Sequence, residues 1–108
     1  MSAAAGCQLI GKWRIVKADI WDRDYLDLVE PAHITFSKSG RGEFAFGALN
    51  ATMELEYAHR TVFFKWSGFD EGDEINGTGS ADLNDDGTIE IELYLHEGDD
   101  AVLKARRA

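Results

Sequence analysis

A single antiparallel β-barrel of about eight strands is the fold this sequence predicts, and three observations predict it. Apolar residues recur at every second position over most of the chain, the alternating runs are joined by short turns, and only one stretch is patterned for a helix. The 108 residues, 44% hydrophobic and 11% aromatic, make one domain, 1–108, with one core. An open meander of this kind leaves two long edges exposed to other chains. Closing it into a barrel removes both.

The first apolar run, LIGKWRIVKADIW from Leu9 to Trp21, is the first strand, preceded by a loose segment over residues 1–8. WDRDYLDLVEP is the helix candidate: Asp22 or Asp24 caps it, Tyr25, Leu26, Leu28 and Val29 give it an apolar side, and Pro31 ends it within two turns. In HITFSKSGRGEFAFGA, Ile34 and Phe36 alternate with polar residues, KSGRG turns the chain, and Phe44 and Phe46 resume the alternation as a hairpin. A second hairpin follows, with Met53, Leu55 and Tyr57 on one arm and Val62, Phe64 and Trp66 on the other, joined by AHRT. EINGTGSADL keeps Ile75, Ala81 and Leu83 in phase, and Gly77 and Gly79 suggest a bend or bulge there. TIEIELYLHEGD is the most regular run, with Ile89, Ile91, Leu93 and Leu95 facing one way, and AVLKARR is the last strand.

Twenty acidic residues against eleven basic ones give a formal charge of -9. Such a surface repels phosphate backbones and anionic lipid, so neither nucleic acid nor a membrane is an expected partner. The apolar runs fall short of the ~20 residues of a membrane helix. Cys7 is the single cysteine, so no intrachain disulfide is expected, and the first residues lack the pattern of a secretory signal; the expected setting is cytoplasmic.

Gly11-Lys12-Trp13 in the first strand resembles the G-x-W motif of the lipocalins and the wider calycin superfamily. The resemblance implies that Trp13 closes one end of the barrel and packs against an arginine near the end of the last strand. Arg106 and Arg107 are the candidates. With Lys104 pointing to solvent, Leu103, Ala105 and Arg107 share the inward side, which favours Arg107, with Arg106 as second choice. The helix after the first strand is similar to part of the helical lid of fatty-acid-binding proteins. WDRDYLDLVEP and GRGEFAFG also resemble stretches of small bacterial proteins with no assigned activity, which implies a bacterial source and points to no particular reaction.

Inward parity collects Phe36, Phe44, Phe46, Tyr57, Phe64 and Trp66 around any interior pocket. An eight-stranded barrel is only just wide enough for its own side chains, so these rings either fill it as core or leave room for a small apolar ligand. An acid head group on such a ligand has Arg107 with Tyr57 as its one anchor. A second candidate surface is an acidic rim of Asp24, Asp27, Glu30, Asp70, Glu71, Asp73 and Glu74.

Asp82, Asn84 and Asp86 with Gly87 reproduce the first half of a calcium loop, but Leu93 occupies the twelfth position, where a bidentate glutamate belongs. A hairpin turn at Asp86-Gly87 is the preferred reading, and no metal site is expected. His33, His59 and His96 lack ligand spacing, and Cys7 lacks a base. With no P-loop, G-x-S-x-G or dinucleotide fingerprint, no cofactor is expected.

Two functions follow from different classes. The first is a non-catalytic binding module, taking a small apolar ligand in the barrel or a basic protein at the acidic rim. The alternative is a calycin-type enzyme with a carboxylate or His96 acting at the barrel mouth. The domain is a monomer or, if closure is imperfect near Gly77 and Gly79, a homodimer.

Overall fold

The structure, a computed structural model, describes residues 6–96 and 100–108. Its elements are β1 (Gly11–Ala18), α1 (Arg23–Leu26), β2 (His33–Phe36), β3 (Arg41–Phe46), β4 (Leu49–Tyr57), β5 (Thr61–Asp70), β6 (Asp73–Leu83), β7 (Ile89–Leu95) and β8 (Asp100–Arg107). Each strand pairs antiparallel with the next and β8 returns to β1, so the eight strands form the expected closed meander barrel. Closure pairs Trp13 with Arg107 and Ile15 with Ala105.

Burial follows the period of two, alternating strictly through most of β4, β5 and β8. The interior is packed with rings: Phe44 lies 5.5 Å from Trp66, 5.9 Å from Phe46 and 6.5 Å from Phe64, and Phe64 lies 6.4 Å from Phe36, between centroids. Among the described residues, no polar or charged residue is buried.

Two segments cover the barrel ends. At one, Asp22 caps α1 by accepting from the Tyr25 amide at 2.9 Å, Leu26 is fully buried, and the Gly47 amide donates to the Leu26 carbonyl at 2.8 Å. Trp21 packs 5.0 Å from Phe46 and 5.9 Å from Tyr25. The helix is a single turn, so the expected apolar side is cut short: Tyr25 and Leu26 face inward, whereas Leu28 is 60% and Val29 72% exposed. At the other end, residues 6–8 are hydrogen-bonded in place, and the rest of the segment expected to be loose, residues 1–5, lies outside the described residues. The Gln8 amide donates to the His59 carbonyl at 2.9 Å, the His59 ring bonds the Gly6 carbonyl at 2.8 Å, and Cys7 and Leu9 are buried.

The bulge expected at Gly77 and Gly79 is absent. Both ladders of β6 run through these residues in continuous register, and the one irregularity in pairing described lies in β1, between Ile15 and Lys17. The glycines serve close approach instead. A Cβ on Gly79 would lie 2.6 Å from the Phe64 ring, and one on Gly77 would lie 1.9 Å from the Tyr94 carbonyl oxygen and 2.9 Å from the Trp66 ring. Because β6 is flanked by β5 and β7, the free edge that imperfect closure would leave there does not form. Among the described residues, no helix is long and apolar enough to cross a membrane.

Candidate functional site

The G-x-W element is built from three parts of the chain. Trp13 is 1% exposed, and its indole Nε1 donates to the Leu9 carbonyl at 2.9 Å. The Arg107 guanidinium lies over the ring, 4.1 Å from its centroid, and donates to the carbonyls of Ile10 and Gln8, each at 2.7 Å. Gly11 has φ +126, and a Cβ there would stand 2.6 Å from Arg107 Nη1. The group thus ties the first strand, the last strand and the 8–10 segment into one plug. Arg106 pairs across the sheet with Arg14, in the outward phase.

Of the residues proposed to line an interior pocket, Phe36, Phe44, Phe46, Phe64 and Trp66 are buried and, as described, contact one another. The sixth, Tyr57, donates its hydroxyl proton to the Ser37 carbonyl and accepts from the Gly40 amide at 2.8 Å, so it secures the β2–β3 turn. With Tyr57 committed there and Arg107 over Trp13, the two do not form the anchor suggested for an acid head group.

The acidic rim divides. Asp27 belongs to an internal ion pair: Arg14 Nη1 and Nη2 reach its two carboxylate oxygens at 2.8 Å each, and the Ala32 amide donates to it at 3.0 Å. The Arg14 hydrogen bond first, then that amide, hold its carboxyl well below the usual carboxylate range. The Arg14 guanidinium is raised in turn. Spacing could not have revealed this pair, because thirteen residues separate its members. Glu30 approaches His33 Nδ1 at 3.4 Å, and Asp24 is exposed. Asp70, Glu71, Asp73 and Glu74 all sit on the β5–β6 hairpin, with Asp70 paired directly to Asp73 and Glu74 paired to Phe69. This turn and α1 share one end of the barrel, since Asp70 pairs with Leu49, Leu49 pairs with Phe46, and the intervening Gly47 bonds to Leu26.

The calcium-like stretch is a hairpin turn. Asp86 accepts from the amide and the hydroxyl of Thr88 at 2.9 and 2.6 Å, Asp82 accepts from Thr61 at 2.7 Å, and Asn84 donates to the Thr88 hydroxyl at 3.1 Å. The two aspartates therefore serve different partners, and Asn84 is engaged through its nitrogen. Among the described residues, no three His, Cys, Asp or Glu side chains are grouped to hold a metal. His33 lies on β2, His59 in the β4–β5 turn and His96 just after β7.

Sequence reasoning missed the outer face of β4–β7. Two adjoining cavities of about 640 and 650 Å³ lie there and share Glu54, Lys65, Thr78 and Tyr94. Short hydroxyl side chains on β6, Thr78 and Ser80, form the floor. Lys65 and Phe63 of β5 stand opposite them on one side, and Tyr94 and Glu92 of β7 on the other. The signal was available: Phe63 and Tyr94 are aromatic residues at positions where the alternation calls for a polar side chain, and they are 53% and 40% exposed. No protein-family model matches this chain, and no curated protein is similar to it.

Proposed function

We propose that this domain is a non-catalytic binding module that engages a basic protein through its helix-bearing rim. The β5–β6 turn carries the reading. Asp70 and Asp73 oppose each other in register, and Glu71 adopts φ 52, in the left-handed region that favours glycine. Like charges directly opposed and a glutamate at that angle both cost stability, and costs of this kind concentrate where residues serve recognition. The same end of the barrel offers Leu28 and Val29 to solvent between Asp24 and Glu30, an apolar centre with an acidic surround. A basic partner complements both, and the net charge of -9 speeds its encounter.

A small apolar ligand inside the barrel has less support, because the chain's own rings occupy the interior. The enzyme reading also has less support, since the strongly perturbed carboxylate, Asp27, is engaged by Arg14 and Ala32. Calycin kinship belongs to this proposal and is supported by the Trp13–Arg107 plug. A cytoplasmic setting is supported by the lone Cys7, and a monomer by the absence of an unpaired strand edge in the barrel.

The test compares the parent domain with Glu71→Asn/Asp73→Asn, each immobilised and exposed to a lysate of the source cell. A basic protein held by the parent, released as salt is raised and lost from the variant is expected, while the variant melts ~2–5 °C higher through relief of repulsion worth ~0.5 kcal/mol. Equal capture by both proteins, or a variant that melts lower, overturns the reading.

A further inference from the structure

The outer trough along β6 differs in chemistry from the rest of the surface. Its walls carry two cations, Arg41 and Lys65, against three carboxylates, Glu54, Glu56 and Glu92, so it is close to neutral in a chain of net charge -9. That balance selects against a strongly basic peptide, and the overall charge selects against phosphorylated ligands. The floor hydroxyls of Thr78 and Ser80 both donate and accept, the carboxylates accept, and Lys65 donates. A fatty chain would leave this polar lining unsatisfied.

The aromatic rings complete the pattern. Phe63 and Tyr94 stand on strands either side of β6, whose backbones are therefore roughly 9–10 Å apart. The Tyr94 hydroxyl donates to Glu92, which fixes that ring before any ligand arrives. Exposed aromatic faces beside a floor of hydroxyls match a molecule with one apolar C–H face and a rim of hydroxyl groups.

We propose that the trough is a saccharide-binding site, in which a pyranose ring stacks on Tyr94 or Phe63 while its hydroxyls exchange hydrogen bonds with Thr78, Ser80, Glu92 and Lys65. An open channel of two adjoining cavities suits a short run of an uncharged glycan chain rather than a single enclosed sugar. This site is independent of the basic-protein reading, which rests on the α1 and β5–β6 end.

Native gels cast with soluble starch, xylan, mixed-linkage β-glucan or glycol chitin test it, followed by NMR titration with the matching oligosaccharide. Weak open sites of this kind bind at about 1 mM, so titration runs to about 10 mM. The expected result is retardation by at least one polysaccharide, shifts centred on Phe63, Thr78 and Tyr94, and at least ~5-fold weaker binding in Phe63→Ala and Tyr94→Ala, with Phe63→Tyr retaining affinity. Both rings are exposed, so unchanged thermal melting of these variants separates lost binding from lost fold. No retardation and no shifts with any of the four, retention of full affinity by the double alanine variant, or shifts at the same residues with tetralysine alone would overturn the proposal. Binding of a basic protein at the rim leaves these readouts unmoved.

Discussion

Replacing Trp13 by alanine should bring the domain close to unfolding, and the loss should be coupled to Arg107. A tryptophan buries ~200 Å² or more, and at 1% exposure nearly all of that is returned to water or left as a cavity, for ~3–5 kcal/mol. The total stability of a small domain is only ~5–15 kcal/mol. Arg107→Ala removes the cation over the ring at 4.1 Å and two donations to carbonyls at 2.7 Å. The side chain is exposed, so solvent screening holds these to a total of ~2 kcal/mol, about half from the ring contact. The melting temperature should fall by ~10 °C for Arg107→Ala and by ~15–25 °C for Trp13→Ala. Because both substitutions break one contact, the double variant should lose ~1 kcal/mol less than the two single losses combined, measured by urea unfolding followed by circular dichroism. Arg107→Lys should not restore the parent, since an ammonium lacks the planar fork that reaches two carbonyls while lying on the ring. A coupling energy below ~0.3 kcal/mol, or Trp13→Ala melting within a degree or two of the parent, would refute the reasoning.

Three other outcomes are expected. Asp27 is held low in the folded chain, so its contribution is full above the ordinary value of 3.8 and declines as the pH falls below it; the stability gap between parent and Asp27→Asn should be present at pH 7 and shrink below about pH 4, and a pH-independent gap would contradict the assignment. Gly79→Ala forces a methyl to within 2.6 Å of the Phe64 ring and should cost ~1–3 kcal/mol, a loss that Phe64→Leu partly restores in the double variant; additive losses would place the strain elsewhere. Calcium titrated calorimetrically should bind more weakly than ~10 µM, with melting unaffected by chelator, because carboxylate oxygens of Asp82 and Asp86 already accept hydrogen bonds from Thr61 and Thr88.

The strands were legible because a half-buried strand writes its burial into every second residue, and the same parity selected Arg107 over Arg106 before any contact was known. What local pattern could not carry was the third dimension. Leu28 and Val29 fit a helical stripe, yet the helix stops after one turn and leaves them outside. Gly77 and Gly79 read locally as a bend or a bulge, and only their register opposite Trp66 and Phe64 shows that they serve close approach. Asp27 looked like one carboxylate of a rim, since nothing local marks Arg14 as its partner. The trough needed the registers of β5, β6 and β7 together, although Phe63 and Tyr94 had already broken the alternation.

Closure of the barrel also sets an order of events during synthesis. Arg107 bonds to a carbonyl made 97 residues earlier, at Ile10. At ~5–20 residues per second a ribosome needs ~5–20 s to span that interval. Until β8 emerges, β1 and β7 present bare edges, and Trp13 has no cation above it. The nascent chain therefore spends seconds as an unclosed sheet open to strand addition by its neighbours. Aggregation during expression should accordingly depend more on how quickly the final strand is delivered than on the stability of the finished barrel.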